Sequence, residues 1–279
     1  MRSRLLRLSA VVLVACQVGL AFACASRQWS RAERDAPLST PAETSRFREL
    51  LATALDREAL YTLVGGLKPL STGFWHGEIA IAGADLAELE AVRRALAPLR
   101  DGVYYADVQV FSTAHDGKRA LEAYVVHLDS LAAMIEREKG FWSPLGISPS
   151  THPSEIVAVV DRLPRPERWR AYGFLFGYPR YAIDFFVEAT GREGDFEMGP
   201  GKDRDFFHVP TVSAVEGRFT WAVPRGHAEC AEDRAIRHAA ARILESFQRV
   251  APEVTSTEDP MPLLRKLNQS NQVTLTGVR

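Results

Sequence analysis

The sequence predicts an α+β fold: a largely antiparallel sheet with packed helices, forming a single globular domain behind an N-terminal signal and tether. Three observations carry this prediction. Strand-like segments come in pairs around turn residues, most clearly on either side of His115-Asp116-Gly117-Lys118. Helical periodicities are interspersed among them without the regular βαβ beat of a doubly wound parallel sheet. A hydrophobic share of 46% with 25% charged residues is ordinary for a globular chain. It excludes wholesale disorder, collagen-like repeats and a multi-span membrane protein.

Each element has a local reason. Phe47, Leu50, Leu51, Ala54 and Leu60 recur at helical spacing, predicting a helix over 45–64 stopped by Gly65-Gly66. The stretch 67–73 reads as a loop and 74–82 as a strand. Asp85 followed by Glu88 resembles a capping box, opening a helix with Leu86, Leu89, Val92 and Leu96 on one face and Pro98 at its end. The segments 103–111 and 119–127 are strands of a hairpin. A helix over 128–139 is halted by Gly140, and 141–146 is a connector with an apolar anchor. Pro153 and Pro166 suit first helical positions, predicting helices over 154–163 and 166–174, with another over 179–189. Strands over 206–214 and 218–223 face each other across 215–217. Ile236, Ala239, Ala240, Ile243, Leu244, Phe247 and Val250 stack one face of a long last helix over 229–250.

The N-terminus carries the clearest functional signal. Arg2, Arg4 and Arg7 precede an apolar run closed by small residues, the layout of a secretory leader. Leu20-Ala21-Phe22-Ala23-Cys24 resembles a bacterial lipobox, which implies cleavage before Cys24 and lipidation of its thiol. Ala21-Phe22-Ala23 also fits the ordinary signal peptidase, which would leave Cys24 unlipidated. The predicted organisation is a signal peptide over 1–23, a flexible tether over 24–44, a globular α+β domain over 45–255 and a C-terminal tail over 256–279. Ser, Arg, Glu, Thr and Pro dominate the tether, where Pro37 and Pro41 discourage helix. The expected location is the cell envelope. Ala rather than Asp at position 25 resembles the outer-membrane export signal of Gram-negative bacteria, with the body facing the periplasm; otherwise the protein is secreted or periplasmic.

Lys+Arg at 34 against Asp+Glu at 35 gives a net charge of −1, without the basic surplus of a nucleic-acid binder. The expected partners are therefore a membrane, through the Cys24 anchor, and an unidentified envelope ligand or protein. Three cysteines build no disulfide framework, and no cofactor is expected.

Two function classes remain. The first is an envelope binding or structural module with a groove near the 65–76 loop, where Lys68, Ser71, Thr72, Trp75 and His76 are the ligand-binding candidates. Glycines there let backbone N–H groups turn outward, and Lys68, Ser71 and Thr72 could hold an anion. The order of residues is not that of a P-loop. The second class is a thiol hydrolase with Cys230 as nucleophile and His76 or His208 as base. Cys230 falls at the start of the last helix, but Glu229, Glu232 and Asp233 crowd the same turn and disfavour a thiolate. Seven histidines form no tight ligand spacing, so no metal is expected. His227, Cys230 and His238 would meet an ion only if the chain entering the helix curled back.

Overall fold

A computed structural model describes residues 40–192, 204–213 and 218–275. The leader, Cys24, nearly all of the tether and the 215–217 turn lie outside the described residues. Helix α1 (Pro41–Asp56) begins inside the predicted tether: Thr40 Oγ1 accepts from Glu43 N at 3.2 Å and Pro41 takes a first-turn position. Pro41 therefore starts the helix instead of discouraging it, because its missing N–H is one that the first turn would leave unpaired anyway. The single helix expected over 45–64 is two. Arg57 is extended, and α2 (Leu60–Leu63) follows after a turn.

After α2 the chain lays down β1 (Leu70–Ser71) and β2 (His76–Ala80), then α3 (Ala87–Ala95). Asp85 Oδ1 accepts from Ala87 N at 2.9 Å, whereas Leu86 caps the helix without a side-chain hydrogen bond. The Asp85–Glu88 capping box is thus corrected to an Asp turn one residue earlier. The predicted hairpin is β3 (Tyr104–His115) and β4 (Lys118–His127), turning on Asp116 and Gly117, both at positive φ (47° and 72°). That pair of conformations is the two-residue turn whose twist matches the strands.

β4 is the central strand and all pairing is antiparallel: β3 lies on one side, β1 and β2 on the other. Strand alternation sends Leu121, Ala123 and Val125 to one face, with Tyr104, Ala106 and Val108 of β3, against α1, α2 and α3. The opposite face carries Tyr124 and Val126 with Tyr105, and packs against five helices that follow. These are α4 (Leu128–Arg137), α5 (Lys139–Trp142), α6 (Pro153–Arg162), α7 (Arg165–Leu175) and α8 (Arg180–Arg192). Gly140 does not halt a helix. The break comes at Glu138, Gly140 lies within α5, and the connector ends at Gly146 in the left-handed region.

A second antiparallel pair, β5 (Arg204–Val209) and β6 (Phe219–Pro224), extends the first core with Phe207, Val209, Phe219 and Trp221. Helix α9 (Ala231–Gln248) buries Ala239, Ala240, Ile243 and Phe247, in agreement with the predicted apolar face. Helix α10 (Ala251–Ser256) closes the expected domain, and helix α11 (Met261–Leu275) stands where a C-terminal tail is expected. Met261, Leu264 and Leu267, spaced by three, are buried in the same core, and Asn268 Oδ1 accepts from Gly65 N at 2.9 Å. The folded body is therefore larger at both ends than the sequence implies. Among the described residues no helix is long and apolar enough to cross a membrane.

Candidate functional site

β1 and β2 are two halves of one edge strand. Leu70 and Ser71 pair with Val126 and Val125, and pairing resumes with His76 opposite Glu122. Between them 72–75 leaves the ladder, with Gly73 at φ +78° and a single return bond from Ala123 N to Trp75 O at 3.1 Å. The Arg57 guanidinium donates to Gly73 O and fixes the break from the helical side. Trp75 lies across Gly77, where a Cβ would come 2.8 Å from the indole. An interruption of this kind re-aims side chains that a regular strand would alternate.

Lys68 enters the fold beneath this break, its side chain 0% exposed, and Nζ lies 2.6 Å from Glu58 Oε2. Phe219, Phe176 and Tyr178 place their rings 4.6, 5.2 and 5.9 Å from the same nitrogen. Burial lowers the Lys68 pKa and the Glu58 carboxylate opposes that shift. Ser71 is buried too, its hydroxyl 2.8 Å from Thr62 Oγ1 and 3.4 Å from Glu58 O. The anion cradle expected from Lys68 and Ser71 is therefore corrected: both side chains are spent on partners inside the protein.

What faces the break is a carboxylate. Glu122 projects from β4 on the Tyr124 face, its side chain 19% exposed, with His76 Nδ1 3.6 Å from Oε1. Burial pushes the Glu122 carboxyl above the ordinary glutamate range, and Glu58 adds to this. His76, the Thr72 hydroxyl and the Gly73 N–H lie at the carboxylate and favour its ionised form. Gln109, the cross-strand neighbour of Glu122, donates from Nε2 to Tyr172 Oη at 3.2 Å, and Tyr172 stacks on Phe176 at 5.6 Å. The cluster thus joins two acids, one internally neutralised lysine, an imidazole 62% exposed and two half-buried aromatic rings. Thr72 and His76 of the predicted set converge on it, while Trp75 shapes the backbone beside it.

No family model, curated protein or solved structure matches this chain.

Sequence reasoning missed Glu58, Glu122 and Tyr172. Glu122 carries a legible signal: in Leu121-Glu122-Ala123-Tyr124-Val125-Val126 it is a lone acid on a strand apolar on both faces.

The hydrolase candidates separate. His76 sits on the first sheet with Glu122, and exposed His208 on β5 has Nδ1 3.0 Å from Thr220 Oγ1. Cys230 is the N-cap of α9, where its sulfur accepts from Asp233 N–H and Cys230 N donates to Asp233 Oδ2 at 3.0 Å. The imidazole beside it is His227, whose Nε2 is 2.7 Å from the same Oδ2. Asp233, completely buried, also accepts from Tyr181 Oη at 2.5 Å. Burial raises the Asp233 carboxyl, yet His227, Tyr181 and the Cys230 N–H and thiol together hold it below the ordinary aspartate value. The carboxylate stands between sulfur and imidazole, whereas an activated nucleophile needs the imidazole in the middle. The sequence alone presents Asp233 as a repelling charge; in the fold it is the residue that organises this turn.

Proposed function

We propose that the protein is an exported cell-envelope lipoprotein, anchored through Cys24, whose folded body binds a small organic cation at the break between β1 and β2. Lys68 and Glu58 neutralise each other, which leaves Glu122 as the carboxylate at the break, while the Arg57 guanidinium there is turned onto the Gly73 carbonyl. A half-buried carboxylate gains from a cation that brings its own donors, since hydrogen bonds to charged groups are the stronger kind. Half-buried Tyr172, hydrogen-bonded to Gln109 beside Glu122, supplies the aromatic component of ammonium recognition, while Phe176 is already engaged by Tyr172 and by Lys68 Nζ. The single observation that carries the proposal is Glu122, raised by burial and facing a gap in its own sheet.

The basic leader and the Leu20–Cys24 stretch support export and anchoring, and a tethered body with a small-molecule site suits a binding module. A thermal-shift panel of putrescine, choline, glycerol and inorganic phosphate tests the ligand class. Stabilisation by the two cations alone supports the proposal. Stabilisation by phosphate alone, or by none of the four, removes it.

A further inference from the structure

We propose that His227, Cys230 and Asp233 form a binding site for a divalent transition-metal ion of the zinc class. One donor atom from each of the three lies within 4.8 Å of the others. They are imidazole nitrogen, sulfur and carboxylate oxygen, a mixture that suits zinc and its neighbours and not the oxygen-only preference of magnesium or calcium. The sequence spacing becomes a cluster for two local reasons. Cys230 and Asp233 occupy the two reciprocal positions of an N-terminal capping box, which turns both side chains to the same point. His227 is brought back by a turn, with His227 N bonded to Pro224 O at 3.0 Å and Gly226 at φ +73°. The chain entering the helix does curl back, and it delivers Asp233 as third donor instead of His238.

Charge and access agree with the assignment. A thiolate and a carboxylate balance a +2 ion, and a neutral imidazole completes three protein ligands, leaving a fourth position for water. Binding releases the thiol proton to solvent, and the proton between His227 Nε2 and Asp233 Oδ2 leaves Nε2 as well, to solvent from an imidazolium or to Nδ1 in the neutral ring, so that Nε2 is free to ligate. These two atoms, now 2.7 Å apart, must separate to about 3.3 Å, the spacing of ligands about 2.0 Å from a tetrahedral ion. The half-buried His227 on its exposed glycine turn can make that adjustment. The outer shell is already built: Tyr181 donates to Asp233 Oδ1 and is backed by Trp221 Nε1 at 3.3 Å.

Tag-free protein stripped with a chelator and titrated with Co²⁺ tests the site. The proposal expects saturation at a single equivalent with a thiolate-to-cobalt charge-transfer band, displacement of cobalt by Zn²⁺, and a zinc-induced rise in Tm. Cys230→Ser should lose the band and His227→Asn the zinc-induced rise, with the metal-free Tm of each variant reporting its folding. Tyr181→Phe should weaken zinc by about 10–100-fold while keeping the band. Absence of the band in wild type, or equal zinc affinity in wild type and His227→Asn, overturns the assignment.

Discussion

Lys68 Nζ and Glu58 Oε2 lie 2.6 Å apart in a setting where the lysine has no exposed side-chain surface and three aromatic rings surround its ammonium group. Removing one partner of such a pair leaves an uncompensated charge, which costs about 3–5 kcal/mol. Lys68→Ala is expected to destabilise by that amount in urea unfolding. Lys68→Met with Glu58→Gln, which removes both charges and keeps most of the volume, should recover most of the loss. A double variant as unstable as Lys68→Ala would show that the charge pair is not the cause.

Gly66 and Gly117 both have positive φ, yet their surroundings differ. A Cβ on Gly117 meets nothing within 4 Å, so Gly117→Ala should cost about 1 kcal/mol through backbone strain. On Gly66 it would come 2.4 Å from Ser130 Oγ and 2.8 Å from His127 Nδ1, a hydrogen-bonded pair that caps α4. Gly66→Ala should therefore be clearly the worse of the two in thermal unfolding; equal losses would contradict this packing.

Burial raises the Glu122 pKa above the glutamate value of the unfolded chain, so between those two values the folded protein holds more protons than the unfolded one. Stability then falls as pH rises through that window and is relatively higher below it. Urea titrations at a series of pH values should show this slope in wild type and a flatter one in Glu122→Gln. An identical pH dependence in both would place the responsible group elsewhere.

Cys24 belongs to the proposed lipid anchor. In a lipoprotein-competent bacterium the wild-type protein should incorporate labelled fatty acid and enter the detergent phase, and Cys24→Ala should do neither. Equal labelling would overturn the lipobox reading.

The β3–β4 hairpin and the apolar face of α9 were legible because each rests on a local signal, Asp116-Gly117 between alternating strands and a 3.6-residue period. The split of the first helix was not. Its cause is a set of distant partners, Gly73 O for Arg57 and buried Lys68 for Glu58, which local periodicity does not contain. The C-terminal helix was missed for a different reason. Leu264 and Leu267 do show helical spacing, but polar neighbours hid a face that only the Gly65 turn and α9 make useful. At the site, the loop 65–76 was found by its composition, while the acids that define its chemistry arrive from α1's end and β4. Sequence distance conceals such convergence: Glu58 and Glu122 stand far apart in the chain, yet Glu58 lies close enough to push the Glu122 carboxyl up.

Calorimetric titration of wild type and Glu122→Gln with putrescine at neutral pH tests the central claim most directly. The account predicts saturable binding to wild type and at least about tenfold weaker binding to the variant, the loss of one charge-assisted contact at 1.4 kcal/mol per decade. Glu122→Gln retaining its fold and binding putrescine as tightly as wild type would contradict it.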